Sequence, residues 1–238
     1  MATAVLMMQL KFILPIILVL TISAINAPAQ EPRSPERGKR KQETVINEDR
    51  GEAYIIGRKP QPPCSSLVSR GTPISEPQQY SIFLGGGWAK PNLQARESEL
   101  ANLLVNVRDQ ATITALAGCG VRNFFGPTFS REKLDKSGRK VTDLEIQAVL
   151  SEMLRDRTLP RLNPATIYVV FLDPELNSTL GTMIAGKHYA AYHNFFNASG
   201  IRFHYVVMPF EADQKAAYEI ALRAFVAAAL NPSHAISN

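Results

Sequence analysis

Histidine, cysteine and tryptophan are scarce in this chain of 238 residues, which holds four, two and one of them respectively. No His-Glu dipeptide occurs. That excludes the H-E-x-x-H helix, in which two imidazoles one turn apart grip zinc beside a general-base glutamate. A G-x-S-x-G nucleophile elbow, a Walker A loop and a G-x-G-x-x-G fingerprint are missing too. With them go the commonest signatures of acyl hydrolysis, nucleotide hydrolysis and dinucleotide binding. Gly85-Gly86-Gly87 follows an apolar run but lacks the Lys and Ser or Thr of a phosphate loop, and reads as a turn. Basic residues are few outside one cluster: the net charge is +5, and much of the excess lies between Arg33 and Lys41. Aromatic residues do not alternate with a basic face, so the sequence predicts no nucleic-acid partner.

A long transmembrane run is also lacking. From Phe12 to Ala27 the chain is almost wholly apolar, with Lys11 before it and Ala27-Pro28-Ala29 at its end. That stretch falls short of the roughly 20 residues that span a bilayer, and the A-x-A pattern marks a cleavage site after Ala29. Residues 1–29 therefore read as a signal peptide, and the mature protein as secreted or periplasmic and not integral to the membrane. In an oxidising compartment Cys64 and Cys119 are a disulfide candidate, with two separate thiols as the other reading.

Residues 30–77 carry seven prolines, many charges and few aromatics. Such a stretch buries too little apolar surface to offset chain entropy and is expected to be a disordered linker, with Ala53–Ile56 the one hint of ordered contact. The basic cluster is a solvated tail or a contact for an envelope component such as a polysaccharide. Residues 78–238 are expected to form a single α/β domain, a central mixed sheet with packed helices. Strands are predicted at Gln79–Leu84, Val121–Phe125, Thr166–Leu172 and Ile201–Met208, with the apolar Thr166–Leu172 at the centre of the sheet. Helices are predicted over Leu93–Gln110, from a capping box at Thr142–Glu145 onward, and over Ala212–Leu230. Tyr189, Tyr192, His193 and Phe196 fit either period.

For a binding surface the candidates are Trp88, Tyr192 and His193, because aromatic and imidazole groups near strand and loop ends are frequent contact residues; packing in the core is the other reading of Trp88 and Tyr192.

Gly85–Trp88, the stretch Val141–Pro160, the strand Ile167–Pro174, Ala191-Tyr192-His193 and Tyr205–Pro209 together resemble a group of exported bacterial proteins. That group is itself distantly similar to the plant phosphate-induced, or EXORDIUM-like, family. The resemblance covers about residues 79–238 and implies a zincin-like fold. In many members a helix of the type Ser-His-Glu-x-x-Glu follows the last strand. Here Ser233-His234 matches its start, but Ala235 stands where the general base belongs, and the preceding Tyr218-Glu219 keeps a glutamate and loses the histidine. The expectation is an exported, non-catalytic or degenerate zincin-like domain with an accessory role in the envelope and no cofactor. The alternative is a secreted, metal-dependent, peptidase-like hydrolase whose zinc ligands, His193, His234 and Glu219, converge only in the folded chain.

Overall fold

The computed structural model describes residues 45–46, 52–59, 72–107, 110–122, 125–132, 139–159, 163–198 and 200–232. The strands and helices along the chain are β1 (Val45–Ile46), β2 (Glu52–Ile56), β3 (Gln78–Leu84), α1 (Gln94–Ala101), α2 (Gln110–Gly118), β4 (Phe125–Glu132), β5 (Lys140–Thr142) and α3 (Asp143–Arg155). They continue with β6 (Thr166–Leu172), β7 (Asn177–Leu180), β8 (Met183–Ile184), β9 (Ala191–Ala198), β10 (Ile201–Met208) and α4 (Gln214–Leu230). The fold is α/β, a mixed sheet packed against helices.

Every residue of β6 is buried, as its unbroken β-branched and aromatic sequence requires of a strand covered on both faces. It lies inside a seven-stranded sheet of order β1-β2-β9-β10-β6-β3-β4. β10, β6, β3 and β4 run parallel, while β9 is antiparallel to β10 and β2 antiparallel to β9. Alternate side chains along each strand leave on opposite faces, so β6 feeds two separate cores. Ile167, Val169 and Phe171 pack with α4, Leu100, Leu104 and Leu116. Tyr168, Val170 and Leu172 pack with Ile146, Leu150 and Met153 of α3 and with Val141, Leu180 and Met183 of the small sheet β5-β7-β8.

Helix α3 begins as the sequence predicts. The Thr142 hydroxyl accepts from the Glu145 amide at 3.2 Å, and Glu145 Oε2 accepts from the Thr142 amide at 3.0 Å, which closes the capping box. The predicted helix over Leu93–Gln110 does not run through; it is cut at Ala101. A buried glutamine on β3 contributes to the break. Gln79 Nε2 donates to the carbonyls of Leu100 and Ala101, and its Oε1 accepts from the Leu104 amide, while the side-chain amides of Asn102 and Asn106 take the carbonyls of Ser98 and Glu99, so the carbonyls a helix end leaves open are satisfied. The strand expected at Val121–Phe125 instead starts at Phe125. The ambiguous stretch around Tyr192 is strand β9, paired with β10 through a tight hairpin in which Gly200 takes a φ of 76°.

The linker assignment needs correction. β2 pairs with β9 in the register Tyr54↔His193, Ile55↔Tyr192 and Ile56↔Ala191, and Ala53 and Ile56 are buried. Its other flank pairs with β1. Ala53 packs into the core on one face of the sheet and Ile56 into the core on the other, so five residues suffice to extend it, and polar neighbours do not prevent that. The described sheet thus takes in Val45–Ile46 and Glu52–Ile56, which precede the expected domain start at residue 78. Residues 1–29, with the expected signal peptide, lie outside the described residues. Among the described residues no helix is long and apolar enough to cross a membrane.

Candidate functional site

Because β3, β6 and β10 are parallel, their carboxyl ends emerge on one rim of the sheet, and β2 ends on the same rim. From β3 the chain passes to β4 on one side and later to β6 on the other, so a topological switch point falls between β3 and β6. Open α/β sheets place ligands in the crevice at such a point.

Here that crevice is filled by the protein itself. Asp173, immediately after β6, is buried and accepts from the Gly87 amide at 2.6 Å, the Glu175 amide at 2.9 Å and the Leu176 amide at 3.1 Å. Gly85 has a φ of 106°, and a Cβ on it would stand 2.2 Å from Asp173 Oδ2. The glycines are there because a carboxylate occupies the space a side chain would need. A fixed negative charge inside the turn also opposes any phosphate, in line with the absence of a phosphate-loop signature. Trp88 closes the rest. Its indole Nε1 donates to the Phe171 carbonyl at 3.1 Å, and its ring packs on Phe83 and Phe210 at centroid distances of 5.0 and 6.1 Å.

One strand further along the rim lies an open cleft of about 230 Å³, lined by Arg58, Glu175, Asn177, Gly186, Phe210 and Glu211 among others. Arg58 follows β2, Glu175 follows β6, Asn177 opens β7, and Phe210 and Glu211 follow β10. Arg58 bridges to Glu211 at 3.3 Å, and Lys90 bonds to Glu175 at 2.8 Å.

On the α3 face of the sheet sits a closed polar cluster. The buried Asp143 accepts from the hydroxyl of Tyr192 at 2.7 Å, from that of Tyr205 at 2.8 Å, from Gln147 Nε2 at 2.7 Å and from Asn194 Nδ2 at 3.2 Å. Burial, and then the Asp143 charge, push both phenols well above their usual range. Tyr189 beside them is raised by burial too, and donates to Ser178 at 2.9 Å. These groups anchor the first turn of α3 to β9 and β10.

Of the residues proposed as a contact surface, Trp88, Tyr192 and His193 are all buried. Trp88 and Tyr192 are core groups whose polar atoms bond inside the protein, so the packing reading holds for them. His193 pairs across the ladder with Val206 and His204 lies two residues from that partner, so both imidazoles face α4. Burial, reinforced by the Arg202 charge, lowers His204 to about 4. Glu219 of α4 is half-buried and lies 4.0 Å from Lys215. His234 falls outside the described residues. Among the described residues no three His, Cys, Asp or Glu side chains converge to hold a metal ion. Cys119, after α2, is disulfide-bonded; the only other cysteine of the chain, Cys64, lies outside the described residues.

Sequence reading missed Asp143, Asp173 and the cleft residues. Asp143 stood in the capping box, where an acidic first turn already explains it. Asp173 stood in Asp-Pro, which reads as a strand stop. The cleft draws on five separate segments, and no spacing rule links them.

Comparison of the chain with protein families, with curated proteins and with solved structures finds no match in any of the three.

Proposed function

We propose that the protein is an exported, non-catalytic relative of the zincin-like group it resembles, and that it serves the cell envelope as a binding or accessory domain. Helix α4 carries this reading. It follows the last strand, where those proteins place their catalytic helix, and its seventeen residues contain no histidine. Eleven of them are buried, among them every residue from Ala224 to Leu230. From Ala224 to Leu230 the helix is buried on every side, so this half is a core element whose surface is spent on packing. Its one carboxylate, Glu219, lies beside Lys215. Metal-assisted hydrolysis needs a base to take a proton from bound water, and α4 supplies no imidazole to pair with that carboxylate. The apolar leader before Ala29 supports export.

Fractionation of cells producing the tagged chain, followed by N-terminal sequencing, tests the compartment; a product starting at Gln30 in the periplasm or medium is expected. Metal analysis and a peptide-hydrolysis assay on the same product test the chemistry. Stoichiometric zinc together with chelator-sensitive hydrolysis would establish the secreted hydrolase instead.

A further inference from the structure

The cleft at the carboxyl ends of β2, β6 and β10 is too well organised to be incidental surface. Two arginines from the helices hold the backbone on either side of it. Arg223 of α4 donates to the carbonyls of Gly57 at 3.1 Å and Lys59 at 2.8 Å, the two neighbours of Arg58. Arg96 of α1 donates to the carbonyls of Glu211 and Ala212, and its guanidinium lies 4.7 Å over the Phe210 ring. The two acceptor loops are thereby fixed, and Arg58 and Glu211 are presented toward each other. Gly186 and Ala185 complete the lining, and a Cβ on Gly186 would sit in ordinary contact with Arg58 Nη2 at 3.6 Å.

The charges decide what such a cleft accepts. The lining holds one guanidinium and two carboxylates, and each is already paired, Arg58 with Glu211 and Glu175 with Lys90 beside the cleft, so none of these three is left unmatched to draw an anion or a metal cation. What it offers is a guanidinium to donate, carboxylates to accept, the Asn177 amide to do both, and the Phe210 ring as apolar surface. Vicinal hydroxyl groups on a ring with apolar C–H faces complement that set, since each hydroxyl donates to a carboxylate and accepts from a guanidinium or amide. A volume of about 230 Å³ is below the roughly 300–1,000 Å³ of pockets that enclose drug-sized ligands, which suits one sugar ring, with the remainder of a chain in solvent.

We infer that this cleft is a saccharide site, taking one neutral sugar unit between Arg58, Glu175, Asn177 and Glu211 against Phe210. The inference rests on the binding role proposed above and names its ligand class.

The test is an amide chemical-shift titration of the protein, purified as the cell releases it, with methyl β-glucoside, N-acetylglucosamine and methyl β-galactoside, and with inorganic phosphate as control. At least one sugar is expected to give saturable shifts at Arg58, Asn177, Gly186 and Glu211 with a Kd on the order of millimolar, as is usual for a small polar ligand. Glu211→Gln is expected to weaken it by roughly fivefold or more, and Asn177→Ala serves if the first variant does not fold. No shift at these residues from any sugar, equal shifts from phosphate, or unaltered binding by the variants would overturn the saccharide site. A protein free of zinc that ignores all three sugars loses this inference and keeps the accessory role. Zinc-dependent hydrolysis removes the accessory role whatever the cleft binds.

Discussion

At Gly85 two constraints coincide: the backbone needs a positive φ of 106°, and the space a methyl would fill belongs to Asp173 Oδ2. Gly85→Ala is therefore expected to cost about 2–4 kcal/mol, from left-handed strain plus displacement of a carboxylate that three amides hold. A fall in the urea midpoint with an unchanged slope measures it; a midpoint equal to wild type would refute the packing described. The triple glycine announced a turn in the sequence, but its reason stands 86 residues away from Gly87, where local reading cannot reach. His204 makes a second case. Its imidazole is held at about 4, against an ordinary 6.5, so between those values the unfolded chain binds a proton that the folded one refuses. Stability is accordingly full above pH 6.5 and declines as pH falls toward 4, by up to about 3 kcal/mol. His204→Gln should flatten the stability curve over that interval while leaving its alkaline side unchanged. An identical slope in both proteins would show that other groups set the acid limit.

Among the elements, α3 was the most legible, because its start is written in four consecutive residues, Thr142 to Glu145, and its buried stripe repeats at helical spacing. Thr142→Ala should cost about 1 kcal/mol in thermal or chemical unfolding, with Asp143 still anchored to Tyr192 and Tyr205; a loss below a few tenths would mean that anchor alone fixes the helix start. Strand β6 was equally clear, since a continuous run of β-branched and aromatic residues bounded by Asp-Pro has one comfortable home. Helix α1 was not. The repeat of Leu100, Leu103, Leu104 and Val107 continues past Ala101, and the amide of Gln79, on a different element, helps to end it together with the local amides of Asn102 and Asn106. Period also failed at β9, where Tyr192 and Asn194 bond to Asp143 on one face and His193 looks to the other. Tyr189, Tyr192, His193 and Phe196 satisfy both templates until a partner strand is in place.

For the molecule as a whole, the class of fold followed from the alternation of strands and helices, whereas the strand order did not, because crossovers leave no mark in local pattern. The entry of β2 into the sheet was hidden by its proline-rich surroundings, whose composition reads as a linker. Cys119 is bonded, and Cys64 is the other cysteine the chain contains. Thiol titration of the denatured, unreduced protein should then find no free sulfhydryl, and reduction should cost about 4 kcal/mol for a loop of this length. Two titratable thiols would refute the bond. The succession of elements has one more effect. β10 sits beside β6 in the interior of the sheet, and α4 fills the middle of one core, yet both belong to the last stretch described, Ile201 to Leu230. A nascent chain that has not reached them lacks a sheet neighbour and most of the apolar surface that would close it. The sheet is expected to stay open until Ile201–Leu230 has been made, which keeps the preceding chain threadable for any machinery that accepts only extended chains.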